Sequence, residues 1–335
     1  MAPRPPAALS LDLDNKWSYM KTHGDVGWDS FPSYVDVVVP RVLEFLRQRQ
    51  LTITFFLVGQ DAALAKNRES LAAISQAGHD IGNHSFLHEP WLHLYSEAQI
   101  ESELARAEEA IEAATGRRPI GFRGPGFSLS EATLRVLKRR GYAYDASTLP
   151  TYLGPLARAY YFMTSRFSAA ERQQRQALFG HVSDGLRPLK PYLFSFDGGQ
   201  LLEVPVTTMP GLKLPIHVSY VLYLAQFSRR LALAYFKAGL RVCRASRTPP
   251  SLLLHPLDFL GCDDDRDLAF FPAMNLPSAV KLEVVSECLE AYAREFDVLS
   301  LDRFSRDRLA GPSMRIEPAR FRHPAAPPAE GERAA

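Results

Sequence analysis

Leu51-Thr52-Ile53-Thr54-Phe55-Phe56-Leu57-Val58 carries apolar side chains on both faces of an extended chain. A strand of that kind is covered on both sides, as strands of parallel sheets are. Shorter runs of similar character recur at 8–13, 79–82, 119–122, 142–145, 201–204, 251–255 and 297–301. Helical patterns separate most of them. The clearest begins at Ser96, where Ser96 and Gln99 have the spacing of a capping box. It carries Ile100, Leu104, Ala107 and Ile111 on one face and stops near Gly116. A second starts at Ser128 or Ser130, presents Leu134 and Leu137, and ends at Gly141.

Strand–helix–strand alternation over about seven or eight units predicts an α/β fold, and at this length a barrel. The expected architecture is a distorted (β/α) barrel of about seven or eight mostly parallel strands spanning residues 1–310. The rhythm breaks between residues 150 and 191, so a helical insertion is expected at about 150–195. A second helical block covers roughly 218–247. Residues 311–335 are rich in proline, alanine and arginine and read as a flexible tail.

The 335 residues are 46% hydrophobic and 23% charged, which excludes global disorder. Lysine plus arginine number 39 against 37 aspartate plus glutamate, a balance that argues against bulk nucleic-acid binding. Cys243, Cys262 and Cys288 are odd in number and share no short spacing, which suits reduced thiols in a cytoplasm. The N-terminal residues lack the apolar run of a signal peptide, and no stretch reaches the roughly 18 apolar residues of a spanning helix. The nearest, 218–236, is broken by Gln226, Arg229 and Arg230. Core packing or a homo-oligomer contact is the first reading of that block, and a membrane-surface helix is a lesser one. A soluble, cytoplasmic protein is expected.

Chemistry-bearing residues gather at strand ends. Strand alternation puts Asp12 and Asp14 on one face, and two close carboxylates call for a cation or a proton between them. His84 and His88 are four apart in His84-Ser85-Phe86-Leu87-His88; in a helical turn they share a face and grip one metal ion. Two imidazoles and a carboxylate form a three-ligand set with positions left open. Arg123 follows another strand within Gly121-Phe122-Arg123-Gly124-Pro125-Gly126-Phe127, and His255 terminates Leu252-Leu253-Leu254. His23, Asp25, Trp17 and Trp91 are further candidates for the mouth, with core or loop roles as the alternative. Cys262-Asp263-Asp264-Asp265 reads as a solvated acidic loop rather than a metal site.

These segments resemble the polysaccharide deacetylase family, also called the NodB-homology or carbohydrate esterase family 4. The likeness covers most of the chain. His84-Ser85-Phe86-Leu87-His88 is similar to the family's H-[ST]-x-x-H metal motif. Arg123-Gly124-Pro125 is similar to its R-x-P motif, and Leu252-Leu253-Leu254-His255-Pro256 to its L-x-x-H-P motif. Upstream, Thr54-Phe55-Phe56-Leu57-Val58-Gly59 and Gly78-His79-Asp80-Ile81-Gly82-Asn83 resemble two further family stretches. Asp12-Leu13-Asp14 departs from the usual adjacent aspartates and resembles a D-x-D sub-branch. The family's aspartate–tryptophan motif is not evident.

The resemblance implies a metal-dependent hydrolase that removes an N-acyl group, acetyl or formyl, from an amino-sugar substrate. It implies Asp14, His84 and His88 as ligands of one divalent ion, zinc with cobalt or nickel as alternatives. Asp12 is then the base, Arg123 its partner and His255 the general acid; the reverse assignment of Asp12 and Asp14 stays open. A backbone N–H near Gly126 would meet the oxyanion. Asp145 or Asp258 would orient His255. Two other readings are hydrolysis of a small ureide or cyclic amide, as in allantoinase-like relatives, and a catalytically lapsed carbohydrate-binding module.

Overall fold

The computed structural model describes residues 3–154 and 182–321. Among these, ten strands form one sheet: β1 (Pro6–Leu13), β2 (Thr54–Leu57), β3 (Asp80–Asn83), β4 (Gly121–Phe122), β5 (Tyr144–Asp145), β6 (Tyr192–Phe196), β7 (Gly199–Glu203), β8 (Ser251–Leu254), β9 (Asp297–Leu299) and β10 (Ile316–Pro318). The order is β10-β6-β7-β5-β4-β3-β2-β1-β8, with β9 also on β1. All pairings are parallel except β6 with β7. The fold is the α/β class that the alternation predicts.

The sheet curls so that its two ends approach. Beyond β7, the Thr207 N–H donates to the Ser251 carbonyl at 3.0 Å, and the Ser251 N–H donates to Thr207 Oγ1 at 2.7 Å. These bonds join the continuation of β7 to the first residue of β8. Helices pack outside: Leu9, Leu11 and Leu13 of β1 sit in a core with Val38, Val42, Leu254 and Leu289. Pleating then sends Ser10 and Asp12 to the opposite, inner face.

Register explains why the chemistry collects at one mouth. Leu13, Leu57, Asn83, Phe122, Asp145 and Glu203 are partners across β1-β2-β3-β4-β5-β7, and each is the last residue of its strand. The residues that follow include Asp14, His84 and Arg123. On the other flank of β1, Leu11 pairs with Leu254, so Asp12 and His255 come next to one another at the same level.

The expected capping box is present. Ser96 Oγ accepts from the Gln99 N–H, and Gln99 Oε1 accepts from the Ser96 N–H, starting the helix Glu97–Thr115. Ser130 caps the helix Glu131–Arg139 in the same manner through the Thr133 N–H. The block expected over 218–247 is the helix Val218–Ala245, interrupted at Ser228, where the backbone is extended. It buries Val221, Leu222, Phe236 and Leu240 and leaves Phe227 and Leu231 exposed. Among the described residues no helix is long and apolar enough to cross a membrane.

Two boundaries differ from the sequence reading. The insertion expected at about 150–195 falls mainly on residues 155–181, outside the described residues. Its far end, however, holds β6, which turns into β7 through Asp197-Gly198-Gly199, with both glycines at positive φ. That glycine pair is a hairpin signal. The tail expected from 311 contributes β10, which pairs in parallel with β6, so ordered structure continues past residue 318.

Gly82 in β3 shows how tightly the inner face is filled. A methyl group added there would overlap the Phe56 ring, and that ring lies 4.4 Å beneath the Arg123 guanidinium. Both Phe56 and Arg123 are fully buried, so neither yields easily. Gly82→Ala is therefore expected to destabilise the fold by about 1–3 kcal/mol through overpacking, read from urea midpoints. An unchanged midpoint would show that the inner face has room.

Candidate active site

Asp14, His84 and His88 converge. One ligand atom from each lies within 4.8 Å of the others, and all three residues are buried. Asp14 Oδ1 stands 3.0 Å from His88 Nε2 and 3.3 Å from His84 Nε2. Yet Asp14 Oδ1 and His88 Nε2 have no hydrogen-bond partner. Buried polar atoms are rarely left unpartnered. Three such atoms crowded about a common centre are the arrangement a metal ion satisfies. The donor set fits the group that the sequence implies.

Asp14 and His84 are held from behind. The Tyr19 hydroxyl donates to Asp14 Oδ2 at 3.3 Å and the Tyr34 hydroxyl to the Asp14 carbonyl at 2.7 Å, which turns Oδ1 toward the histidines. Burial opposes charge on Asp14, but His88 and His84 outweigh it and hold the carboxyl well below its ordinary range. His84 Nδ1 lies 2.7 Å from the Arg123 carbonyl, an acceptor only, so this nitrogen carries the proton and Nε2 presents its lone pair.

The His84–His88 segment is not helical. Ser85 and His88 have φ of 62° and 51°, a region that costs non-glycine residues energy. Glu103, from the neighbouring helix, holds this loop by accepting from the Phe86 and Leu87 N–H groups at 3.1 and 3.0 Å. Asn83 Oδ1 accepts from the Ser85 N–H at 2.8 Å. The two imidazoles meet through a pinned loop, where the sequence spacing suggests a helical turn.

Arg123 is fully buried. Its Nη1 donates to Asp12 Oδ1 at 2.6 Å and to Ser10 Oγ at 2.9 Å, while Nε donates to the Ala146 carbonyl at 2.9 Å. Gly126 has φ of +59° beside Pro90. His255 Nδ1 lies 2.9 Å from Ser219 Oγ, and the His255 N–H donates to Asp258 Oδ2 at 2.8 Å. Asp258 thus contacts the backbone of His255 rather than its ring. Asp145 accepts from the Ser147 hydroxyl at 2.5 Å and faces Glu203 across the sheet. Burial pushes both carboxyls up, and proximity to Asp145 pushes Glu203 further. Neither carboxyl makes a direct hydrogen bond to the imidazole of His255.

Other candidates resolve into structural roles. His23 Nδ1 pairs with Asp25 Oδ2 at 2.9 Å, and its ring stacks on Phe270. Trp17 is buried, with Nε1 donating to Asp61. The acidic loop is exposed at Asp263 and Asp264, as expected, and its carboxylates are also bonded: Asp264 takes both Arg41 Nη atoms, Asp263 takes Ser278, and Asp265 pairs with Lys16. Trp91 is half-buried. Among the described residues, all three cysteines are free.

An α/β sheet with a three-donor cluster at its carboxyl edge defines a protein with a candidate metal centre. Residues 25–144 match the family profile described as polysaccharide deacetylase. The chain is 27% identical over 148 residues to a peptidoglycan deacetylase of Helicobacter pylori, covering 42% of this chain and 49% of that protein. It is 36% identical over 111 residues to the peptidoglycan-N-acetylmuramic acid deacetylase of Bacillus subtilis, covering 32% and 41%. The matched region thus spans about half the length of these curated relatives. Two solved structures share the fold. One is a protein of Mycobacterium smegmatis assigned to the polysaccharide deacetylases, with TM-score 0.62, 20% identity and coverage of 97% and 96%. The other is the allantoinase PuuE, with TM-score 0.54, 16% identity and coverage of 92% and 91%. Over residues 25–144 the chain is thus similar to the polysaccharide deacetylase family.

Two expectations follow. Asp14→Ala and His88→Ala should each take bound divalent metal from about one ion per folded chain to less than about a tenth, by elemental analysis after gel filtration. Retained metal would place the centre elsewhere. The second concerns Asp61, whose Oδ1 accepts from Asn15 Nδ2 at 2.6 Å and from Trp17 Nε1 at 2.9 Å, directly behind the Asp12–Asp14 segment. Burial raises Asp61 to about 7 against the Asn15 and Trp17 bonds. A carboxyl raised on folding is more protonated in the folded state, so its contribution to stability declines as pH rises from about 4 to about 7. In chelator-treated protein, Asp61→Asn should remove that decline, so unfolding midpoints of variant and parent diverge in the variant's favour over this window. Parallel midpoints would contradict it.

Proposed function

We propose that the chain is a metal-dependent amide hydrolase that removes the N-acetyl group of an amino-sugar substrate. The observation that carries this reading is the convergence of Asp14, His84 and His88 on one centre, with Asp12 held by Arg123 at the same mouth. The names of the relatives support an N-acetylated amino sugar as the substrate class. Two imidazoles and one carboxylate with open positions favour zinc.

When bound, the ion acts as a Lewis acid toward an amide carbonyl and acidifies water. The rest falls to the chain. Asp12 accepts the proton of the attacking water. The Arg123 guanidinium fixes the Asp12 carboxylate through the bond from Nη1 to Oδ1 at 2.6 Å. The Gly126 N–H donates to the carbonyl oxygen as negative charge gathers there. His255 donates a proton to the amide nitrogen as the C–N bond breaks, giving acetate and a free amine. Asp12 and His255 suit these opposite roles because they stand at the same level on adjacent strands.

Acetate release from N-acetylated amino-sugar oligomers and from peptidoglycan fragments tests the reading. Asp12→Asn and His255→Ala should each lower kcat by about 10²–10⁴-fold while metal content stays at the parent level. Full turnover by either variant would remove that residue from the chemistry. A metal-loaded parent that releases no acetate from any of these substrates would overturn the function.

A further inference from the structure

The residue that faces the imidazole of His255 comes from a remote part of the chain. Ser219 stands in the first turn of the helix Val218–Ala245, and its Oγ lies 2.9 Å from His255 Nδ1. The Ser219 hydroxyl also favours the charged form of the Asp258 carboxyl, which is 1% exposed. Asp258 Oδ2 accepts from the His255 N–H at 2.8 Å, and the Lys281 ammonium, likewise 1% exposed, interacts with its charge. A hydroxyl whose proton turns toward the Asp258 carboxylate offers a lone pair to His255 Nδ1–H.

His217 completes the surroundings. It is buried, with its ring 6.4 Å from that of His255 and edge-on to Tyr220, and its Nδ1 has no partner. Burial lowers it to about 3, so it stays neutral and adds no competing charge. The charged and titratable groups facing His255 are therefore Asp258, with Lys281 behind it, neutral His217, and Asp12 on the neighbouring strand.

We propose that Ser219 is a positioning residue for His255: its hydroxyl accepts from Nδ1–H, fixes the tautomer, and leaves Nε2 to exchange the proton with the leaving amine. A serine hydroxyl on Nδ1 does here what direct contact with a carboxylate would do. It is placed by the start of a helix that lies outside every motif in the sequence.

This inference rests on the acid role of His255, so its test has an arm that needs no substrate. With ring-¹⁵N histidine in the zinc-loaded full chain, neutral His255 should appear as the Nδ1–H tautomer. In Ser219→Ala it should become a mixture with substantial Nε2–H, and Ser219→Thr should restore the parent spectrum. On any substrate that turns over, Ser219→Ala should lower kcat about tenfold, leave KM within about twofold and leave zinc content unchanged, with Ser219→Thr recovering most of the loss. A parent-like tautomer in Ser219→Ala would overturn the proposal, as would an alanine variant with parent-like kcat. If no substrate turns over, the spectra still decide the role of Ser219, and the failure falls on the functional reading alone.

Discussion

The buried guanidinium of Arg123 is the constraint around which the mouth is built. It lies on the Phe56 ring, and its Nε and Nη1 donate to the Ala146 carbonyl, Ser10 and Asp12, while the buried Nη2 has no partner. Its own carbonyl sets the tautomer of His84. One residue thus ties the proposed base to the metal cluster. A buried charge needs a compensating partner, and removing one partner leaves the other uncompensated. Asp12 is that partner, so the pair is locked in place by the same energetics that make its burial unfavourable. The buried carboxyls of Asp145 and Glu203 pair across the adjoining strands, and Arg123 favours the charged form of Asp145.

The sheet supplies the geometry. Parallel strands in register bring their last residues to one level, so short side chains just past those ends meet without long loops. Where the backbone must leave regular structure to let the imidazoles meet, at Ser85 and His88, a carboxylate from a packed helix holds the strained loop. Tyr19 and Tyr34 do the same for Asp14.

Local pattern made much of this legible in the sequence. Period-two alternation placed Asp12 and Asp14 on one face, and the ends of apolar runs marked His84, Arg123 and His255. Contacts made only by tertiary folding stayed hidden. Ser219 precedes His255 by 36 positions and reaches it through the start of a helix. Asp61 supports Asn15 and Trp17 from another element, and Glu103 anchors a loop from mid-helix. β6 and β10 were lost because short strands in proline-rich surroundings resemble linker; the Gly198-Gly199 pair was the available signal for the hairpin. Asp145 and Asp258 looked suited to orient His255 because they lie near motif residues in sequence. Their carboxyls are engaged elsewhere, by Ser147 and by the His255 backbone N–H.

The account stands on one metal centre formed by Asp14, His84 and His88. Anomalous diffraction from crystals of the zinc-loaded chain, collected above and below the zinc edge, tests this directly. The expected result is a single strong peak bounded by Asp14 Oδ1, His84 Nε2 and His88 Nε2, at about 2.0–2.2 Å from each. A peak elsewhere, or none between these three atoms at full zinc loading, would contradict it.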